Sequence, residues 1–208
     1  MPVHQIEKLL NNDDRFLISQ TFRHPFVDFK ISHVGSTFEK LIGGETFVPS
    51  LKYLYDEFMS NHSEQFSNQK LNDNVIFGRV ARMWASLIRE WHSYYLLLNI
   101  GEKFKFDKTF IIRNDELDTK KGIDILLKNK KKEEKSIKLD ILQSTGRANY
   151  FRKIKDSIRV KDKDIPGKKY KIFLGSNKET TKVINGWYLL DDAYAERIII
   201  YYKKYYAK

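Results

Sequence analysis

Apolar side chains recur three and four residues apart from Val80 through Met83, Trp84, Leu87, Ile88, Trp91 and Tyr95 to Leu98, the spacing of one helical face. This predicts a helix of about five turns over 79–98. With about 100° between successive side chains, Arg82, Arg89 and Ser93 fall opposite the stripe, and Glu90 falls at its edge beside Arg79 and Met83. Three short apolar runs follow at 108–113, 122–127 and 136–143, separated by the polar connectors NDELDTKK and KNKKKEEK. Connectors this short favour an antiparallel meander, and lysine-rich 128–135 reads as a solvated hairpin tip.

Beyond 143 the period lengthens again. Tyr150, Phe151, Ile154 and Ile158 share one side of a predicted helix over 147–159, and KYKIFL at 169–174 predicts a fourth strand. A helix between two strands of one sheet makes a crossover, so the fourth strand is expected parallel to the third. Residues 183–190 contain Asn185-Gly186 as a turn or break, and 192–206 predict a final helix with Ala195, Ile198, Ile199, Tyr202 and Tyr206 towards the core. Residues 1–75 read as irregular with short helices. Ser36-Thr37-Phe38-Glu39 has the form of a capping box before Leu41-Ile42-Gly43-Gly44, a helix is predicted over 50–59, and 60–74 read as loop. The pattern as a whole is an α/β chain with a mixed sheet. It divides into an N-terminal helical part (1–75), a core (79–174) and a C-terminal strand and helix (175–208), all within one expected domain.

Composition narrows the chemistry. The chain has no cysteine, which excludes disulfides, thiolate zinc sites and cysteine nucleophiles, and its five histidines lack metal-ligand spacing. Any metal is therefore expected to have oxygen ligands. No apolar run approaches the roughly 20 residues that span a bilayer, and the N-terminus lacks a secretory pattern, so a cytosolic protein without a membrane partner is expected. The net charge of +11 points to a polyanion, and it is concentrated: residues 147–171 hold ten cations against three acids.

Acids inside apolar strands need compensation from a cation, a hydrogen-bond network or a metal, which singles out Asp124 and Asp140. Acids from a helix and two adjacent strands, Glu90, Asp124 and Asp140, could converge on Mg²⁺. Each also has an ordinary structural use, as a turn cap or an ion pair with a neighbouring lysine or arginine. Ser144-Thr145-Gly146-Arg147 is either a helix start or a phosphate-contacting turn, and the tyrosines near the C-terminus either pack in the core or stack on bases.

The order helix, three strands, helix, strand, with acids on the second and third strands, resembles the PD-(D/E)xK or restriction-endonuclease-like nucleases over about 79–174. That resemblance implies an αβββαβ core, Asp124 in Gly122-Ile123-Asp124-Ile125-Leu126 as the first motif acid, and Glu90 as the helix glutamate. It implies a Mg²⁺-dependent endonuclease acting on DNA, double-stranded by preference, of the restriction type, and many such enzymes cut as homodimers. The third strand departs from the pattern, which expects an acid, one residue and then lysine, because Asp140 is followed by Ile141 and Leu142. Either Asp140 or Gln143 fills the acid position, and they face opposite ways on a regular strand. Lys138, before Asp140 and on its face, or Lys155 on the following helix, would replace the lysine. Arg147, Arg152 and Lys153 would hold the DNA backbone together with Lys155 and Lys138. The competing expectation is a nucleic-acid-binding protein that keeps the fold without the catalysis.

Overall fold

The computed structural model describes residues 2–12, 31, 33–44, 48–67, 71–113, 123–129, 132, 135–143, 167–175 and 179–205. These form two compact units, Met1–Ile88 with Asn185–Trp187, and Arg89–Ile184 with Tyr188–Lys208. No described helix is long and apolar enough to cross a membrane.

The first unit is helical: α1 Pro2–Asn12, α2 Val34–Gly44, α3 Leu51–Ser67 and the first half of α4, Asp73–Lys103. Its core includes Phe38, Leu54, Phe58, Val80 and Trp84, all fully buried. The Trp84 indole donates to the Pro49 carbonyl at 2.8 Å and meets Trp187 edge-on at 5.7 Å. The capping box at 36–39 is not formed. The helix begins three residues earlier, at Val34 after His33 at φ 68°, and the Ser36 and Thr37 hydroxyls, already inside it, donate back to the His33 carbonyl. Within the stretch read as loop at 60–74, residues 60–67 and 73–74 are instead helical. α3 runs on to Ser67, and Asn72 caps α4 by accepting from the Asn74 amide at 2.8 Å.

His62 on α3 stacks on His33, with ring centroids 5.3 Å apart, and leans on Phe58. Burial, with further pressure from His33 and Lys40, lowers its pKa from the usual 6.5. A histidine held neutral in the fold stabilises fully above 6.5, and that contribution is lost as pH falls from there through its depressed folded value. Thermal midpoints measured between about pH 7 and pH 5 are therefore expected to fall further for the native chain than for His62→Gln.

In the second unit α4 continues to Lys103, five residues beyond the expected end. It closes with the Phe106 amide on the Gly101 carbonyl (2.8 Å) and the Lys105 amide on the Glu102 carbonyl (3.0 Å), with Lys105 at φ 52°. This is the usual glycine-capped helix end with lysine in the left-handed position, so no glycine marks it. Leu87 to Ser93 are buried without interruption, including Arg89 and Ser93, which the stripe had put on the polar side. Seven such residues span nearly two turns, so here α4 is enclosed on all sides.

A 3₁₀ turn, Lys108–Phe110, leads into β1 (Ile111–Ile112), followed by β2 (Ile125–Leu127), β3 (Ile137–Gln143) and β4 (Lys168–Leu174). Their order in the sheet is β1-β2-β3-β4. β1 to β3 pair antiparallel and β4 pairs parallel to β3, as the pattern predicted. β1 and β2 are shorter than the apolar runs that announced them. β5 (Thr181–Ile184) and β6 (Trp187–Leu190) form a separate hairpin turned by Asn185 (φ 45°) and Gly186 (φ 76°), the left-handed pair that a tight two-residue turn requires. Asp191 caps α5, Asp192–Tyr205, by accepting from the Ala193 and Tyr194 amides. The helix expected over 147–159 lies outside the described residues.

Gly167 fixes where β4 joins the sheet. It has φ 119°, and a β-carbon there would collide with the Ser136 carbonyl oxygen, which accepts from the Lys168 amide at 2.9 Å. Both the backbone conformation and the space demand glycine. Gly167→Ala is expected to destabilise the chain by roughly 2–4 kcal/mol, read as a lower urea midpoint at unchanged slope.

Candidate active site

Alternation along β3 separates two faces. Ile137, Leu139 and Ile141 are buried on one, with Ile125, Leu127, Ile172 and Leu174 brought to the same face by register. Lys138, Asp140 and Leu142 lie on the other. Parallel pairing puts Lys169 beside Lys138 and Lys171 beside Asp140 on this second face. The ladder is unbroken from Ile137 to Gln143, so β3 contains no bulge that would turn Asp140 round. Gln143 is its last residue, opposite Leu174.

Asp124 stands one residue before β2. Continuing the β2–β3 register by one step brings it opposite Asp140. Its side chain confirms the proximity, because Asp124 Oδ2 accepts from the backbone amide of Ile141 at 2.5 Å. Both acids are largely withdrawn from water, Asp124 at 9% exposure and Asp140 at 7%. The Ile141 amide compensates one carboxylate. Lys169 compensates the other, with its Nζ 2.8 Å from Asp140 Oδ2. Lys138, next to Lys169, has its pKa lowered by burial first and by the Lys169 ammonium second. Two acids and two lysines from three adjacent strands therefore share one patch, with exposed Lys171 at its margin.

Glu90 is held elsewhere. Its Oε2 accepts from Arg113 Nη2 at 3.1 Å, and the Arg113 guanidinium lies 4.4 Å from the centre of the Trp91 ring. Among the described residues, no group of three or more histidine, aspartate or glutamate side chains is gathered to share a metal. Arg147, Arg152, Lys153 and Lys155 lie outside the described residues.

Lys169 and Lys171 were not among the residues singled out from the sequence. The signal was present in KKYKIFL: with Ile172 and Leu174 on the core face, the odd positions 169, 171 and 173 must share the face of Asp140 once β4 is parallel to β3. Compared with models of known families, with curated proteins and with solved structures, the chain matches none.

Proposed function

We propose that this chain hydrolyses phosphodiester bonds of DNA, using Mg²⁺ held between Asp124 and Asp140. The observation that carries this reading is the placement of two buried acids at facing positions, Asp124 just before β2 and Asp140 on β3, with Lys138 and Lys169 on the face of Asp140. The strand order supports it, since three antiparallel strands and a parallel fourth are what the resemblance to PD-(D/E)xK nucleases implies. Lys169 supplies from the adjacent strand the ammonium that β3 lacks after Asp140.

The two acids suit the ion. Mg²⁺ prefers hard oxygen donors and is commonly held by one or two carboxylates together with substrate phosphate oxygens and water. When bound, it would lower the pKa of an attacking water and stabilise the leaving oxyanion. Asp124 is oriented by the Ile141 amide. Asp140, now paired with Lys169, would be the second carboxylate to hold the ion, and the Lys169 ammonium beside it would be placed to offset charge that develops on the phosphoryl group. Lys138, holding its proton less tightly than an ordinary lysine, is the better donor to the leaving oxygen. Lys171 and the cations at 147, 152, 153 and 155 hold the backbone in this reading. Glu90 serves as a structural ion pair with Arg113.

One observation favours a second reading. Both aspartates are already matched within the protein, Asp124 by an amide and Asp140 by a lysine, as suits a chain that grips DNA without cutting it. Supercoiled plasmid incubated with the protein separates the two. Mg²⁺-dependent nicking that stops with chelator supports the nuclease. Salt-sensitive binding indifferent to Mg²⁺, with no cleavage across varied sequences, leaves the second reading in its place.

A further inference from the structure

The tyrosines near the C-terminus divide between two environments. α5 buries Ala195, Ile199 and Tyr202, a stripe at i, i+4 and i+7 that fixes its inner face. Trp187 and Tyr202 are almost wholly buried and belong to packing. Tyr201 and Tyr205 lie on the outer side, 43% and 52% exposed, with Ile200 at 45%. Their rings touch, with centroids 4.8 Å apart at 48°. Lys204 Nζ sits 5.0 Å from the centre of the Tyr205 ring, and Arg197 sits 5.3 Å from that of Tyr194. Arg197 is also tied to the Glu179 carbonyl at 3.2 Å, so its charge has a fixed place on the surface. A solvated helix face is ordinarily polar, whereas here two adjacent tyrosine rings, each about half exposed, lie beside two cations.

We propose that this face of α5 binds single-stranded nucleic acid, with bases stacking on Tyr201 and Tyr205 and phosphates meeting Arg197 and Lys204. Charge identifies the occupant: α5 carries the acids Asp192 and Glu196 in its first turns and only cations, Arg197, Lys203 and Lys204, from there to its end, in a chain of net charge +11. A second copy of the same chain would bring like charges together, whereas a polyanion is attracted. Lys203 is used otherwise, donating to the Phe104 carbonyl at 3.0 Å. Exposed tyrosine faces stack on bases of any identity once those bases are unstacked from a duplex, which makes the ligand single-stranded and of loose sequence preference. The proposal takes from the preceding section only the choice of nucleic acid as partner, and it is independent of cleavage.

The test uses the full chain, a labelled oligo(dT) of about 16 nucleotides, and chelator to exclude cleavage. Tyr201→Ala with Tyr205→Ala is expected to weaken binding about tenfold or more, whereas Tyr201→Phe with Tyr205→Phe stays within about twofold because the stacking faces survive. Lys204→Gln is expected to reduce the salt slope by about one phosphate contact, with a smaller loss of affinity. Unchanged oligo(dT) binding in the alanine pair overturns the proposal. So does an alanine pair whose defect is instead in self-association, read by sedimentation, or in binding to anionic phospholipid vesicles. Plasmid nicking is scored on the same variants. Lost oligonucleotide binding by the native chain with nicking intact removes this inference alone, and absent nicking with oligonucleotide binding intact removes only the nuclease.

Discussion

Asp124→Asn is expected to reduce Mg²⁺-dependent plasmid nicking by roughly 10²–10⁴-fold while leaving the thermal midpoint nearly unchanged. Asparagine matches aspartate in shape, and its carbonyl oxygen can still accept from the Ile141 amide that Asp124 engages at 2.5 Å. The lost negative charge is therefore the main change. Asp140→Asn is expected to be nearly as damaging to cleavage, and it also leaves the Lys169 ammonium without the carboxylate now 2.8 Å away. Lys169→Met should lower the rate less, because Lys138 remains beside it in the register. Nicking rates and melting curves on the same preparations decide the matter. A wild-type rate in Asp124→Asn would remove the aspartate pair from the mechanism.

The second large effect concerns stability. Arg113 has a fully buried side chain and Glu90 one that is 9% exposed, so the pair holds two opposite charges where water solvates neither well. Removing one partner of a buried pair strands the other in a medium that solvates it poorly. Arg113→Met is expected to cost about 3–5 kcal/mol in chemical denaturation. The double variant Glu90→Gln, Arg113→Met should recover most of that loss, since no buried charge is left over. This comparison also separates the two uses of Glu90. A structural glutamate gives a Glu90→Gln protein that is less stable but cuts DNA per folded molecule at close to the native rate. A metal-binding glutamate gives a stable protein that does not cut.

The strand order was legible because period-two alternation and the short connectors left few arrangements for four strands, and the parallel fourth strand followed from the crossover helix predicted before it. Helix ends were less legible. Asn72 starts α4 inside a run so polar that it resembled a loop, and Lys105 ends it in a backbone conformation normally announced by glycine. Arg89 and Ser93 misled for a different reason: an amphipathic stripe identifies one buried face and says nothing about a second element covering the other. At the candidate site, Asp124 and Asp140 could be found from the cost of acids within apolar strands. Lys169 could be found only by carrying the alternation of β4 across a pairing made between residues far apart in sequence. The ion pair of Glu90 with Arg113 joins residues 23 apart in sequence, a partner that no local pattern encodes.

The register of β3 with its two neighbours also has a kinetic consequence. Leu127 and Ile137 are ten residues apart, so β2 and β3 can zip early at a small cost in loop closure. Ile137 and Lys168 are thirty-one apart, and β4 is an outer strand of the described sheet. Its docking must close a longer stretch of chain and is expected to be the slower step. Lys138, Asp124 and Asp140 can thus be in place before Lys169 arrives. The ammonium that balances Asp140 comes from the strand whose pairing closes the longest stretch of chain, so the charge balance of the patch is completed only when β4 is in place.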